Sequence, residues 1–367
     1  MSQKLLQKDD KTIKLFKESI KSDFTRNAYV LYVRKYMQHL GVSNADLLLK
    51  SDSKTIQQEL IDFIIFLKKD KNYSAIRNYV SAIIAFYKIN DIVLNIDKIS
   101  RFMPDKRKAN KDRSYRSEEI RKLLDVADER MRAVILLLAS TGMRIGAIPN
   151  LRLRSLEKVS LNNFDSIYKI TVYENDINYE YFTFCTPECA RAIDNYLEMR
   201  KRYGEKLTDD SFLIREQFDI RDPFAISKCQ KTVSQTIGNK IKELAMRSGI
   251  REKQTLEENK KHLGASLRKP VPIAHGFRKF FTTQLINSKI NPEIREMLLG
   301  HKIGLASCYY RPNEEEFLSE YQKVINSLSF NEEFKLKMQV KKLEIEKSQL
   351  EKLAADVAIL KRKWKSR

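Results

Sequence analysis

The stretch HGFRKFFTTQLINSKINPEIREMLLGHKIGLASCYYRP, from His275 to Pro312, sets histidines, arginines and tyrosines into an apolar helical pattern. His275 and Arg278 are three residues apart, so they share one face of a helix that we predict to begin near His275. The segment PEIREMLLGH predicts a second helix, which Gly300 closes and which leaves His301 just past the turn. The stretch therefore predicts two short helices with reactive side chains at their ends.

Two adjacent tyrosines follow this pair of helices. Pro312 disfavours helical geometry at the residue before it, so Tyr309 and Tyr310 are expected to end a short helix. Successive helical residues point about 100° apart, so the two phenols cannot both face one ligand. After the proline, Asn313 and Glu316 have the spacing of a capping box and predict the start of another helix.

A second box, TGMRIGAIPNLRLRSL, runs from Thr141 to Leu156. The apolar segment AVILLLAST before it predicts a buried helix, which delivers Gly142 and then Arg144. An arginine at the end of a buried helix costs free energy unless an anion or a carboxylate meets it. The neighbouring sequence offers no acid, which leaves a salt bridge to a distant carboxylate or an anionic ligand.

Composition limits the classes of protein. The chain has 367 residues, of which 42% are hydrophobic and 32% charged, as in a soluble globular protein of two or three domains. No apolar run approaches the roughly 20 residues of a membrane span, and the start lacks a signal-peptide pattern, so we expect an intracellular protein without a membrane partner. The four cysteines form no CxxC pair and no zinc pattern, so free thiols are expected.

The formal net charge of +21 predicts a polyanionic partner, because lysines and arginines that neutralise phosphates release condensed counterions. A ribosomal protein or a membrane-surface protein would share this charge. Charge alone therefore does not choose among these classes.

Local patterns predict the secondary structure. SIYKITVY and YEYFTFCT alternate with period two around the polar ENDIN, which predicts a β-hairpin. Gly41 is placed to close an early helix, Ser74 to cap another and Pro187 to open a third, whereas residues 251–270 predict an exposed loop. A long tail helix, packed in cis or on another copy, is expected from apolar residues that recur every seven positions, at Leu336, Leu343, Leu350, Val357 and Trp364.

These patterns divide the chain into segments. Aromatic and apolar residues at helical spacing predict an all-helical unit, and a basic aperiodic run after it predicts a linker, which could also follow a DNA backbone. We expect an N-terminal tail at 1–13, a helical unit at 14–100, a linker at 101–115, a larger unit at 116–328 and the heptad-patterned helix at 329–367.

TGMRIG, together with HGFRKF, LLGH and YY, resembles the tyrosine recombinase, or phage integrase, family. The family pattern is an arginine, then His-x-x-Arg, then Gly-His, then a tyrosine nine residues on. The resemblance covers about residues 14–328 and is greatest to the archaeal integrases. It implies a mainly α fold with a small β-sheet (α+β), with a helical core-binding domain before the catalytic domain. It implies five catalytic positions: Arg144, His275, Arg278, His301 and the nucleophile Tyr310.

The resemblance implies a site-specific DNA recombinase or integrase. The Tyr310 hydroxyl would attack a phosphodiester, form a 3′-phosphotyrosyl link and free a 5′-hydroxyl, so rejoining needs no ATP. Two guanidiniums would hold the non-bridging oxygens, to which His301 would donate. Only about 0.1% of a phenol with a pKa near 10 is ionised at pH 7, so His275 would assist as a base.

The same resemblance implies partners and a location. We expect double-stranded DNA with a specific recombination site, bound by a homo-tetramer on two duplexes. No metal or cofactor is required. The protein is expected in the cytoplasm, on the DNA of a prokaryotic or archaeal cell that hosts a virus or plasmid.

The chain departs from the family pattern in several places. The family usually has Glu at Ala147, Asp at Ser155 and His at Lys279. It also has a lysine in the hairpin turn that protonates the leaving 5′-oxygen, whereas ENDIN contains none. Lys169, earlier in the hairpin, is the nearest candidate for that role.

Three other functions compete with the recombinase. The departures favour a recombinase-like DNA-binding protein whose catalysis has weakened. A type IB topoisomerase-like enzyme would use the same chemistry to relax supercoils, although the N-terminal helical unit argues against it. A metal-dependent nuclease would need clustered carboxylates, and the stretch from His275 to Pro312 offers only Glu293 and Glu296.

Overall fold

The computed structural model describes residues 11–106, 112–161, 166–176, 178–228, 230–251, 271–304 and 309–365. They form two compact units, one with the described residues up to 106 and the other with those from 112 onward. The predicted fold class, mainly α with one small β-sheet, is confirmed. The loop predicted at 251–270 lies outside the described residues except for its first position.

The first unit contains only helices. Its core is built from aromatic side chains, as the helical spacing predicts; the rings of Tyr36 and Phe63 lie 5.3 Å apart and those of Phe16 and Phe86 5.5 Å apart. The helices are α1 (Lys11–Glu18), α2 (Asp23–Leu40), α3 (Ser53–Leu67), α4 (Tyr73–Ile89) and α5 (Ile96–Ser100).

Two caps in this unit test the sequence predictions. Gly41 closes α2 in the left-handed region with φ 69°, as predicted. The cap predicted at Ser74 is wrong, because Asn72 caps α4 by accepting a hydrogen bond from the Ala75 N–H at 3.0 Å. Asparagine and serine are both good caps, so their order in the sequence could not decide between them.

The second unit surrounds a buried helix with further helices and one sheet. Helix α7 has apolar residues on all sides and is covered by α8 and α11. The helices of this unit are α6 (Ser117–Asp125), α7 (Glu129–Thr141), α8 (Pro187–Arg202), α9 (Pro223–Ser227), α10 (Ser234–Arg247), α11 (His275–Asn287), α12 (Pro292–Leu298), α13 (Glu314–Gln322), α14 (Ile325–Leu328) and α15 (Glu332–Lys365).

The sheet has three antiparallel strands in the order β1-β2-β3. The predicted hairpin is confirmed as β2 and β3, and the sequence patterns gave no sign of β1. The strands are β1 (Leu156–Ser160), β2 (Ser166–Val172) and β3 (Tyr181–Phe184).

The register of the hairpin decides which side chains can meet. Lys169 pairs with Phe184, and Val172 pairs with Tyr181. Directly opposed residues share one face of a sheet and successive residues alternate between faces. Lys169 and Tyr181 therefore project from opposite faces of the hairpin.

Helix α15 confirms the long tail helix predicted from the seven-residue repeat. Phe334 near its start is buried, whereas six apolar side chains further along are exposed: Leu336, Val340, Leu343, Leu350, Leu353 and Val357. Within the described part of the chain, every helix is too short or too polar to span a membrane.

Candidate active site

Arg278 connects two helix ends in the middle of the second unit. Its side chain is 7% exposed, donates to the Gly142 carbonyl at 2.8 Å and to the Leu299 carbonyl at 2.7 Å. These carbonyls end α7 and α12, where a helix leaves acceptors unsatisfied and a cation is favoured. One guanidinium therefore fixes the position of one helix end relative to the other.

His301 is brought to this arginine by the turn that ends α12. Gly300 adopts φ 65°, its N–H donates to the Met297 carbonyl at 2.8 Å, and the His301 N–H donates to the Glu296 carbonyl at 2.9 Å. This pair of bonds is a Schellman motif, which turns the chain back on the helix. Nε2 of His301 then lies 2.7 Å from a guanidinium nitrogen of Arg278.

Arg144 lies in the loop after α7 and is exposed. Gly142 precedes it with φ 61°, and a Cβ there would approach the Phe281 ring to 2.3 Å. Burial lowers the pKa of Arg278, and the like charge of Arg144 lowers it further. Among the described residues, no carboxylate forms an ion pair with either arginine.

His275 begins α11, one turn before Arg278. Partial burial lowers the pKa of its imidazole, and the charges of Lys279 and Arg278 lower it further, whereas Asp112 raises it. Lys279 and Asp112 form an ion pair at 2.5 Å. Because burial and these positive charges outweigh Asp112, the neutral imidazole that a base requires persists to pH values below its ordinary pKa.

Tyr310 has a different environment. It is half-buried against the core of the second unit, while Tyr309 is 90% exposed. Burial raises the pKa of the Tyr310 phenol, and the carboxylates of Glu316, Glu293 and Glu320 raise it further. A contact thus joins Arg278 to His301, the charges of Arg144 and Arg278 act on His275, and carboxylates act on the Tyr310 phenol.

Lys169 is held on the other face of the hairpin. Its ammonium lies 3.0 Å from a Glu157 carboxylate oxygen and 2.5 Å from one of Glu314. It also lies 5.3 Å from the centre of the Phe182 ring. No described contact joins Lys169 to the arginine pair.

The sequence profile of the phage integrase family matches residues 113–316, which is more than half of the chain. The chain belongs to the phage integrase family. It is an enzyme of the tyrosine site-specific recombinase type. No curated protein matches the chain.

Solved structures of recombinases share the fold of this integrase. XerH site-specific recombinase bound to its difH substrate is 18% identical with a TM-score of 0.52, over 81% of this chain and 79% of that one. A lambda integrase tetramer bound to a Holliday junction is 14% identical with a TM-score of 0.51, over 83% and 77%. The Tn1549 transposon integrase in complex with transposon right-end DNA is 18% identical with a TM-score of 0.50, over 85% and 99%.

The integrase differs from the family pattern at Ala147 and at Ser155, and of these two only the Ser155 side chain makes a described polar contact. Ala147 is buried and apolar, so it cannot supply the carboxylate that the family usually has there. The Ser155 hydroxyl donates to a Glu174 carboxylate oxygen at 3.2 Å, and Arg154 Nε donates to Glu174 at 3.1 Å. Glu174 belongs to the ENDIN turn, so this carboxylate ties the hairpin turn to the loop after Arg144.

Tyr181 is a residue of the site that the sequence patterns missed. Its ring packs on Gly300, where a Cβ would approach the ring to 2.4 Å. Burial raises the pKa of its hydroxyl to about 12, against the opposing effect of the nearby charges of Arg278 and Arg144. The hydroxyl makes no well-aligned hydrogen bond with any described residue. This buried hydroxyl therefore lies within the electrostatic influence of both arginines.

We expect Lys169→Ala to leave DNA cleavage within about 3-fold of wild type, because both partners of the ammonium are carboxylates away from the arginines. The free energy of unfolding should fall by less than about 1 kcal/mol, as for a partly exposed ion pair. Single-turnover cleavage and urea unfolding measure the two quantities, with Glu157→Gln as the control for the ion pair. A loss of about 100-fold in cleavage would instead make Lys169 the acid for the leaving oxygen.

The environment of His275 predicts the pH dependence of cleavage. Because its pKa is lowered, the decline of cleavage on acidification should have its midpoint below the ordinary imidazole pKa of about 6.5. Lys279→Gln removes one lowering charge and leaves the Asp112 carboxylate unpaired, so the pKa of His275 should rise and the decline should begin at higher pH. Lys201→Gln, which breaks a surface pair with Glu198, is the matched control. If cleavage by Lys279→Gln declined at the same pH as wild type, or at a lower pH, the assignment of His275 as the base would be contradicted.

Proposed function

We propose that this integrase cuts and rejoins duplex DNA through a 3′-phosphotyrosine link on Tyr310, without metal or ATP. The observation that carries the proposal is the pair of guanidiniums, Arg144 and Arg278, with no carboxylate paired to either in the described structure. Two like charges beside one another are unfavourable unless an anion meets both. A scissile phosphate is such an anion, and its charge grows in the transition state.

The other side chains have roles that fit this phosphate. His301 faces the same guanidinium and would donate to a non-bridging oxygen. His275, kept neutral by its surroundings, would accept the proton of the Tyr310 phenol. The carboxylates that raise the pKa of Tyr310 oppose its ionisation, so its attack would follow DNA binding, on a site in its own subunit or in a neighbour's.

The arrangement of the whole chain follows the same proposal. We infer that residues 14–100 form a core-binding domain, 101–115 a basic linker and 116–328 the catalytic domain, with 329–367 as an added helix. The division into two compact units and the charge of +21 support two domains that bind DNA together. The partners would be a specific duplex site and three further copies in a tetramer on two duplexes.

The residues of the catalytic motifs, HGFRKFF, LLGH and YYRP, support an archaeal virus or plasmid as the source. We infer a location in the cytoplasm, on DNA. The lambda tetramer on a Holliday junction supports the assembly state by analogy of fold alone.

Covalent trapping tests the proposal. A duplex site would be selected by binding from a random-sequence library and nicked next to the scissile position, so that the cut strand diffuses away. We expect a protein–DNA adduct in EDTA without ATP, and peptide mapping should place the DNA on Tyr310. Cleavage that leaves no adduct, or that EDTA stops, would rule the proposal out.

A second function has specific support. The phenol beside three glutamates and Lys169 held by two others favour a DNA-binding protein with weakened catalysis. In that case wild type would bind the selected site as tightly as Tyr310→Phe and neither would form an adduct.

A further inference from the structure

Glu296 lies directly against His301 at the end of α12. Its Oε2 is 2.7 Å from Nδ1 of His301. The contact follows from the Schellman motif, which places the residue after the glycine against the residue five positions before it. Most such motifs bring two apolar side chains together here; in this chain a carboxylate and an imidazole occupy the two positions.

The hydrogen bonds determine which ring nitrogen of His301 carries the proton. A guanidinium can only donate, so Arg278 donates to Nε2, which must present its lone pair. The proton of the neutral ring is therefore on Nδ1, where it donates to the Glu296 carboxylate. Glu296, His301 and Arg278 form one chain of hydrogen bonds from the surface to the buried arginine.

Glu296 is itself fixed and ionised. Its second oxygen accepts from Arg295 Nε at 3.0 Å. Partial burial acts to raise the pKa of Glu296, but hydrogen bonds from His301 and Arg295 outweigh it and hold the pKa below its ordinary value. The carboxylate is thus negative at neutral pH. It faces Nδ1 of His301, whereas Nε2 on the other side of the ring faces Arg278.

We propose that Glu296 is a positioning residue for strand transfer, which acts through His301. The inference rests on the proposed function, in which His301 donates to the scissile phosphate. For that donation Nε2 needs a proton, which the ring takes from solvent as the phosphate displaces the Arg278 contact. Both ring nitrogens then donate, Nε2 to the phosphate and Nδ1 to Glu296, whose charge balances the imidazolium.

A double-mutant cycle separates this role from a structural one. Glu296→Gln keeps an acceptor oxygen and loses the charge, and Glu296→Leu loses both; single-turnover adduct formation should fall about 10-fold and about 100-fold, with DNA affinity unchanged. In a His301→Gln background, Glu296→Gln should cause no further loss. Glu198→Gln, which has the same charge change at a surface pair, should behave as wild type.

The cycle has outcomes that contradict the proposal. Glu296→Gln at the wild-type rate would overturn it. An equal loss with and without the His301 imidazole would show that Glu296 acts elsewhere and would also overturn it.

Proton NMR of the free full-length protein tests the inference without DNA. We expect a ring N–H resonance of His301 at far low field, from Nδ1 bonded to a carboxylate, which Glu296→Leu and His301→Gln both remove and Glu198→Gln retains. Its absence in wild type, or its survival in Glu296→Leu, would overturn the inference. If wild type shows this resonance but forms no adduct, the positioning stands and the proposed catalytic function fails.

Discussion

Arg278→Ala is expected to abolish detectable cleavage and to lower the free energy of unfolding by about 2 to 4 kcal/mol. The loss of stability follows because two helix-end carbonyls, of Gly142 and Leu299, lose a buried charged donor. The loss of cleavage, at least about 1,000-fold, follows because the transition-state phosphate loses a planar fork of donors. Urea unfolding and single-turnover adduct formation measure the two effects.

Arg144→Ala is the matched control, because this side chain is exposed and has no ion-pair partner among the described residues. It should lose about as much cleavage as Arg278→Ala while its free energy of unfolding stays within about 0.5 kcal/mol of wild type. Arg278→Lys should recover part of the stability but little of the cleavage. Cleavage by Arg144→Ala at the wild-type rate would contradict the proposal that Arg144 and Arg278 bind the scissile phosphate together.

Tyr310→Phe is expected to form no covalent adduct and to bind the DNA site with an affinity within about 2-fold of wild type. The hydroxyl is the only group removed, and the ring keeps its apolar contacts with the core of the second unit. Suicide-substrate trapping and a binding titration on one DNA duplex measure the two quantities.

Tyr309→Phe is the control for this experiment. Its side chain is 90% exposed, so the loss of its hydroxyl should change neither adduct formation nor binding. If Tyr310→Phe formed an adduct and Tyr309→Phe formed none, the nucleophile would be Tyr309.

The parts of the fold that local signals specify could be predicted from the sequence. Gly41 at the end of α2 and Asn313 with Glu316 at the start of α13 are read from the residue types that caps require. The hairpin follows from period-two alternation. Strand β1 could not be predicted, because only its two end residues and one interior position are apolar or small, and its pairing with β2 is a non-local contact.

The site shows the same division between local and non-local signals. The pairing of Glu296 with His301 was available in the sequence, because a glycine before the histidine predicts a turn that brings position 296 back to it. The position of Tyr181 depends on how the hairpin packs against Gly300. That packing, like the contact of Lys169 with Glu314, joins segments far apart in the chain, which spacing rules do not describe.

Gly142 lies where the Phe281 ring and the Arg278 guanidinium both approach the backbone closely. Its missing side chain leaves room for the Phe281 ring beside it, and its own carbonyl accepts directly from Arg278. A single methyl group there would collide with the Phe281 ring and so disturb the loop that leads to Arg144 and the hydrogen bond to Arg278. Position 142 is therefore expected to tolerate no side chain, although it carries no charge and offers no side chain to a ligand.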